Sequence, residues 1–228
     1  MIEDIEKIRI FCHFKKFVIF GGSWGASLAI LYTISYPKNI ITFVTRNISL
    51  MRDPIITDSF RNMYPEYWDN FIKLGDNSSI KNTVNIYFKN IKRKNKKYIN
   101  NWHNLEFKSL SVRPEENTKQ NIPFQDKYIC SLLESYYYKN NFFIPENYVL
   151  NNCCTISNIP GYIIVGRLDV ICNPKDSFDL HSNLSNSKLY VVESAGHHYV
   201  DHLIAKKLVE TSKEIFNFYF SNRKDFYV

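Results

Sequence analysis

Residues 17–30 read FVIFGGSWGASLAI, and this stretch constrains the fold more than any other part of the chain. Four apolar residues are followed by a serine set among glycines, and then by apolar residues at helical spacing. The run predicts a short buried strand that turns sharply into a helix. Because parallel strands need crossover connections, a strand that leads directly into a helix is typical of parallel sheets.

The alternation of strand and helix returns elsewhere in the chain. An amphipathic helix is predicted at the start, over residues 2–12, from isoleucines at helical spacing. Strand-like segments are predicted at 16–20, 40–47, 161–169 and 188–198, with helical segments at 25–36, 176–184 and 201–221. This order predicts an α/β fold with a mostly parallel sheet and helices on both faces.

The middle of the chain has a different texture. From about residue 51 to residue 145 the sequence is aromatic, asparagine-rich and lysine-rich, with helical fragments and no strand rhythm. We expect a mostly helical cap inserted at 51–145, so that residues 1–50 and 146–228 together form the α/β core.

Residues 21–25, GGSWG, match the pattern G-x-S-x-G. In this pattern, small neighbours let the backbone make a strained strand-to-helix turn that presents the serine hydroxyl above the sheet. The helix that follows points its N-terminal N–H groups at the site, where they stabilise charge on an attacked carbonyl oxygen. Glycine-rich turns also hold phosphates, but Walker A spacing with its lysine and the G-x-G-x-x-G pattern are absent. We therefore predict that Ser23 is a nucleophile.

A serine hydroxyl needs a base to take its proton, and the base needs an acid to orient it. Asp169 and His197 each follow a predicted strand, so both should lie at the sheet edge that carries Ser23. Singly, Asp169 is also typical of a turn and His197 or His198 of a surface loop. The order Ser, Asp, His is that of α/β-hydrolases, and the three together predict a catalytic triad.

Charge, cysteine content and hydropathy bear on whether the chain binds nucleic acid or metal or crosses a membrane. The net charge is +7, and much of the excess lies in residues 89–100, KNIKRKNKKYIN, which we interpret as a solvated, partly disordered insertion without specific nucleic-acid binding. Five cysteines without zinc-type spacing predict reduced thiols and no metal site. No basic leader precedes an apolar run, and no apolar stretch is long enough to cross a membrane. We expect a soluble, cytoplasmic protein that needs no cofactor.

Three segments resemble those of a known family of serine exopeptidases. The segments VIFGGSWGASLAILYTISYPKNI, GRLDVICNPKDSFDLH and ESAGHH resemble the nucleophile, acid and histidine segments of the proline iminopeptidases, which have the α/β-hydrolase fold. The tryptophan inside the elbow makes this match more specific than a general G-x-S-x-G. The resemblance implies that Ser23 is the nucleophile, Asp169 the orienting acid and His197, rather than His198, the general base.

The resemblance also implies how a substrate is recognised. The family binds the free amine of an N-terminal proline with acidic residues of the helical cap, and Glu106 in WHNLE and Glu134 in LESYYY match them. Arg46 matches a family arginine near the substrate site. The expected substrates are small peptides that begin with proline. Without the resemblance, the two glutamates would be ordinary solvated helix residues and Arg46 an ion-pair partner.

The sequence departs from the family pattern at its start. The chain begins at the helix before the nucleophile strand, whereas family members carry further strands and a His-Gly-Gly loop upstream. That loop supplies one oxyanion donor, so the backbone N–H of Trp24 is the donor expected here. Loss of one donor typically costs roughly a hundred- to a thousandfold in rate. We expect a piece of a longer enzyme, and a naturally truncated, inactive form is the alternative.

Two other functions compete with the peptidase assignment. The same triad serves a general esterase or amidase, which has no need of paired carboxylates for an ammonium group. A non-catalytic remnant that acts as an interaction module or as a basic nucleic-acid-binding module is the other alternative, supported by the departure upstream and by the basic run at 89–97. Glu106 and Glu134 separate the first alternative from the peptidase.

Overall fold

The computed structural model describes residues 1–52, 58–76, 79–110, 112 and 122–221. Four strands form one parallel sheet in the spatial order β1-β2-β3-β4. Their bounds are β1 Phe17–Gly22, β2 Ile40–Arg46, β3 Gly161–Gly166 and β4 Ser187–Val192. Because all four strands run in the same direction, the segments that follow them emerge at one edge of the sheet.

Ten α-helices connect or flank the described strands. The helices of the α/β part are α1 Ile2–Phe11, α2 Trp24–Ser35, α8 Tyr148–Asn152, α9 Pro174–Ser182 and α10 His202–Tyr219. The other five lie between β2 and α8 in sequence and form the helical insertion: α3 Asp58–Met63, α4 Pro65–Leu74, α5 Ile80–Lys92, α6 Lys96–Ser109 and α7 Phe124–Lys139. No helix in the described ranges has the length and apolar character required to span a bilayer.

The sheet is covered on both faces, as the alternation of apolar residues along its strands requires. Along β2, Phe43 packs with the helices of one face, whereas its neighbour Val44 packs with the other. On β3, Ile163 packs on the same face as Phe43, and Ile164 packs on the same face as Val44. Successive strand side chains point to opposite faces, so a strand buried on both sides is apolar at consecutive positions. The α/β fold predicted from the sequence is therefore confirmed.

The helices between β2 and β3 have an apolar cluster of their own. Phe71 of α4 stacks on Tyr87 of α5 with their ring centroids 4.4 Å apart, and Trp102 of α6 packs against both rings. Val170, which follows β3, is the member of this cluster that belongs to the α/β part. The helical insertion thus packs mainly on itself and contacts the α/β part beside the carboxyl ends of the strands.

Helix α1 is attached to the α/β part through one carboxylate. Glu6 accepts hydrogen bonds from Arg9, from the Tyr32 hydroxyl at 2.6 Å and from Asn39 at 3.2 Å. The hydrogen bonds from Arg9 and Tyr32 lower the pKa of Glu6 to about 2. The ionised form of Glu6 therefore contributes to holding α1 against α2.

The basic run differs from the sequence expectation. Residues 89–97 are not a disordered insertion: they form the end of α5, a tight turn and the start of α6. Asn95 caps α6 by accepting a hydrogen bond from the backbone N–H of Lys97 at 3.1 Å. The Lys and Arg side chains in this run are exposed, as expected for a solvated surface. Helix caps and apolar neighbours order a segment whose composition alone is typical of a loop.

Candidate active site

The strand-to-helix turn predicted at residues 21–25 is present and has unusual backbone geometry. Ser23 lies between β1 and α2 with φ 55° and ψ −127°, which is unfavourable for a residue with a side chain. The glycine at position 21 is required by close approach, because a Cβ there would lie 2.1 Å from the carbonyl oxygen of Gly25. The turn therefore presents the Ser23 side chain at the sheet edge where the strands end.

Ser23, His197 and Asp169 form a continuous hydrogen-bonded chain. The Nε2 of His197 lies 2.9 Å from the Oγ of Ser23, and its Nδ1 lies 2.8 Å from the Oδ2 of Asp169. Three segments far apart in sequence supply these groups: the turn after β1, the loop after β3 and the loop after β4. A base bonded to both a hydroxyl and a carboxylate is the arrangement that activates a serine nucleophile.

Asp169 is held in place by the backbone that follows it. Its Oδ1 accepts hydrogen bonds from the N–H groups of Ile171 and Cys172, both at 2.9 Å. The residue is 2% exposed, and its other oxygen faces His197. Both carboxylate oxygens are thus satisfied, and the imidazole is directed by a fixed acceptor.

The neighbouring histidine has a different environment. The Nδ1 of His198 accepts a hydrogen bond from the backbone N–H of Val200, and its ring stacks on Tyr199. The backbone N–H groups of His197 and His198 both donate to the carbonyl of Leu110, at 3.1 and 2.9 Å. The loop that carries the base therefore contacts the end of helix α6.

Trp24, expected to supply an oxyanion donor, is the first residue of α2. The N–H groups of a first helical turn have no acceptor within the helix, and the helix dipole is positive there. The Trp24 side chain packs on two aromatic residues, with its ring centroid 5.0 Å from that of Tyr137 and 5.6 Å from that of Phe142. These contacts link the nucleophile turn to α7 and to the segment just after it.

Ser23 opens into a cavity of about 1080 Å³ between the α/β part and the helical insertion. Its walls come from both parts of the molecule. The described residues that line it include Ser23, Trp24 and Cys172 from the α/β part, and Trp102, Glu106, Glu134 and Tyr138 from the insertion. The carboxylate pair expected from the sequence thus lines the same cavity as Ser23.

Glu106 of α6 and Glu134 of α7 interact directly in the cavity wall. The nearby Glu134 charge, burial and a hydrogen bond to Glu134 raise the pKa of Glu106 well above its usual range. Burial also raises the pKa of Glu134, but hydrogen bonds from Trp102, whose Nε1 is 2.8 Å from Oε2, and from Glu106 oppose this shift. The pair thus favours one shared proton, because the two carboxyls are buried side by side and hydrogen-bonded to each other.

Arg46 lies beside the nucleophile turn and the histidine loop. It is absent from the described residues that line the cavity, and it is 8% exposed. Its Nη1 donates a hydrogen bond to the carbonyl of His197 at 2.5 Å. Its part in substrate binding stays a prediction, and the observed contact is with the histidine loop, toward which the end of β2 directs this side chain.

Sequence reasoning missed two residues near Ser23. Cys172 lines the cavity, and burial raises the pKa of its thiol well above the usual range, while a hydrogen bond with Ser23 opposes the shift. Asn47 is fully buried, follows β2 directly, and joins the last residue of β3 to the loop after β4. Nothing in the sequence shows these partners.

Several known proteins are similar to this chain in sequence, although no family model matches it. Proline iminopeptidases from Arabidopsis thaliana, Neisseria gonorrhoeae and Xylella fastidiosa are 28%, 26% and 25% identical to it over 227, 225 and 209 residues. The chain resembles the proline iminopeptidases. The matches cover 94%, 94% and 86% of this chain, but only 60%, 71% and 66% of the respective relatives.

Solved structures support the same fold. An esterase from Exiguobacterium antarcticum superposes with a TM-score of 0.63 at 16% identity, covering 95% of this chain and 72% of that one. A meta-cleavage product hydrolase from Pseudomonas fluorescens superposes with a TM-score of 0.60 at 18% identity, covering 95% and 70%. The chain has an α/β-hydrolase fold, which confirms the expected fold class.

Proposed function

We propose that the chain is a serine aminopeptidase that releases N-terminal proline from peptides through an acyl-enzyme. The observation that carries this proposal is the Glu106–Glu134 pair, placed in the wall of the cavity onto which Ser23 opens. Two adjacent carboxylates repel each other, and a cation bound between them removes that repulsion. The similarity to the proline iminopeptidases supports the same substrate class.

In the proposed reaction, the Ser23 hydroxyl attacks the carbonyl carbon of the N-terminal proline while the Nε2 of His197 takes its proton. The N–H of Trp24 stabilises the negative oxygen of the tetrahedral intermediate. The imidazolium then gives the proton to the departing peptide amine, and the prolyl group stays on Ser23 as an ester. Water, activated by His197, hydrolyses the ester and releases proline.

Asp169 keeps the imidazole in the productive tautomer throughout these steps. Its Oδ2 accepts a hydrogen bond from the Nδ1–H of His197, so that Nε2 carries no proton and can take the one from Ser23. The two backbone N–H groups on Oδ1 hold the carboxylate in position beside the histidine. The triad chemistry of the proposal thus follows from one directed hydrogen-bond chain.

The amine of an N-terminal proline is a protonated secondary amine with two N–H donors. Glu106 and Glu134 offer an acceptor each, and binding of the cation displaces the proton that the pair holds when empty. Trp102, bonded to Glu134, and Tyr138 line the same cavity and provide apolar surface for the pyrrolidine ring. We infer that the helical insertion, residues 51–145, acts as the substrate-binding cap of a core made of 1–50 and 146–228.

A direct test separates the triad from substrate recognition. The 228-residue chain and its Ser23→Ala variant are treated with a fluorophosphonate probe, and turnover of proline p-nitroanilide and N-acetylproline p-nitroanilide is measured. We expect labelling that depends on Ser23 and turnover of the free-amine substrate only. Labelling that survives Ser23→Ala contradicts the nucleophile, whereas equal turnover of the two anilides contradicts recognition of the amine.

A further inference from the structure

The last residue of β2 and the residue after it are hydrogen-bonded to the segments that carry the triad. The backbone N–H of Ser23 donates to the carbonyl of Arg46 at 2.8 Å, so the nucleophile turn is fixed to the last residue of this strand. The next residue, Asn47, donates its own backbone N–H to the carbonyl of Ile164 in β3, also at 2.8 Å. Residues 46 and 47 are therefore fixed to the strands that precede Ser23 and Asp169.

The Asn47 side chain extends this connection to the histidine loop. Its Oδ1 accepts a hydrogen bond from the N–H of Gly166 at 2.9 Å. Its Nδ2 donates to the carbonyls of Gly196 and His197, at 3.1 and 3.0 Å. The residue is fully buried and has a φ of 51°, a conformation that asparagine tolerates better than most side chains. Both amide heavy atoms are therefore bonded to backbone, Oδ1 at the end of β3 and Nδ2 in the loop after β4.

Arg46 contacts the same carbonyl from another side. Its Nη1 donates to the oxygen of His197, which thereby accepts hydrogen bonds from two side chains. The guanidinium also packs closely on the nucleophile turn, since a Cβ added at Gly22 would lie 2.4 Å from Nη2. Burial lowers the pKa of Arg46 and the charge of Asp169 opposes this shift, but no carboxylate in the described ranges lies within 4.0 Å of the guanidinium. The hydrogen bond to the His197 carbonyl is therefore the direct polar contact that the described structure gives this buried cation.

We propose that Arg46 and Asn47 form a clamp of positioning residues that fixes His197 relative to Ser23 and Asp169. This inference rests on the proposed function, because it assigns a role in the same reaction. The imidazole must stay within hydrogen-bond reach of two partners on separate loops, and small displacements of a base cost large factors in rate. The clamp holds the His197 carbonyl, while Leu110 holds its N–H.

The clamp predicts a loss in chemistry rather than in substrate binding. Asn47→Gly accommodates the positive φ but removes all three side-chain hydrogen bonds. We expect kcat to fall on the order of a hundredfold, by the scale of misplaced catalytic groups, with KM changed less than about threefold. Neither residue touches the carboxylate pair, so recognition of the amine is retained. Arg46→Lys keeps a hydrogen-bond donor, so its kcat should fall less than that of Arg46→Met.

The test compares Asn47→Gly with Asn141→Gly, a matched control in which an exposed asparagine with φ 48° is changed in the same way. The measurements are the fluorophosphonate labelling rate of Ser23, proline p-nitroanilide kinetics, and the far-downfield proton NMR signal of the His197–Asp169 hydrogen bond. Thermal unfolding of each variant shows whether it is folded. The NMR signal needs no turnover, so it reports on the clamp separately from the substrate.

We expect Asn47→Gly and Arg46→Met to lose or broaden the NMR signal and to label slowly, while Arg46→Lys recovers part of both and Asn141→Gly matches the unchanged protein. An unchanged NMR signal and labelling rate in folded Asn47→Gly overturns the clamp. If the signal is lost in Asn47→Gly but the unchanged protein never cleaves proline p-nitroanilide, the clamp stands and the proposed function fails. A rise in KM without a fall in kcat also overturns the clamp.

Discussion

The most informative perturbation is removal of one charge from the carboxylate pair. In Glu134→Gln the side chain keeps its size and can still accept a hydrogen bond from Trp102, but it no longer carries a charge. The remaining Glu106 no longer faces a second carboxylate, so the repulsion that raises its pKa is absent. The substituted site therefore presents at most one negative charge to the substrate amine.

The expected fall in kcat/KM can be worked out from the charged hydrogen bond that the substitution removes. A hydrogen bond to a charged group contributes about 1.5–3 kcal/mol, and about 1.4 kcal/mol corresponds to a factor of ten. We expect kcat/KM for proline p-nitroanilide to fall roughly ten- to a hundredfold in Glu134→Gln and similarly in Glu106→Gln. The double variant should lose less than the product of the two, because the two groups share one cation and one proton.

The assay uses two substrates and one matched variant. A neutral ester, p-nitrophenyl acetate, requires the triad but has no amine, so its turnover should change less than about twofold. Glu146→Gln provides the control, since Glu146 lines the same cavity but is exposed. It should retain proline p-nitroanilide activity to within about threefold, because water screens an exposed charge. Equal losses for both substrates would falsify recognition of the amine by this pair.

Three further outcomes are expected. His197→Ala should lose several orders of magnitude in kcat, whereas His198→Ala, whose imidazole bonds the loop backbone, should retain most activity, as steady-state kinetics will show. The stabilisation from ionised Glu6 should be present above about pH 4.5 and lost toward about pH 2. The melting temperature of Glu6→Gln, measured by thermal unfolding, should therefore fall less over this pH range than that of the unchanged protein. Neutralising the basic residues of 89–97 should weaken salt-dependent binding to DNA without changing turnover, and tight binding that persists at physiological salt would contradict this.

Much of the fold was predictable because local patterns and tertiary structure agree. The stretch around Ser23 carries a strand, a turn and a helix in one short run, and the structure has all three within a residue or two of the predicted bounds. The positions of Asp169 and His197 followed from their places after strands, because parallel strands end at one edge. The hydrogen bonds of His197 to Ser23 and to Asp169 agree with that placement, while the catalytic roles of these residues stay a prediction.

The sequence was less informative where the environment is made by distant segments. Arg46 resembles a substrate-site residue in sequence, yet its side chain contacts the loop after β4, which sequence spacing cannot reveal. The basic run at 89–97 has the composition of a loop, but caps and apolar contacts make it helical at both ends. The contact between Glu106 and Glu134 depends on how α6 packs on α7, and only the resemblance suggested it.

The central claim is that Ser23 carries the prolyl group during the reaction. The most direct measurement is mass spectrometry of the 228-residue chain after rapid acid quenching during turnover of proline p-nitroanilide, with Asn141→Gly as a folded control. The account predicts a mass increase of one prolyl group, located by peptide mapping at Ser23 and absent in Ser23→Ala. Release of proline at the normal rate by Ser23→Ala, or a prolyl group on another residue, would contradict it.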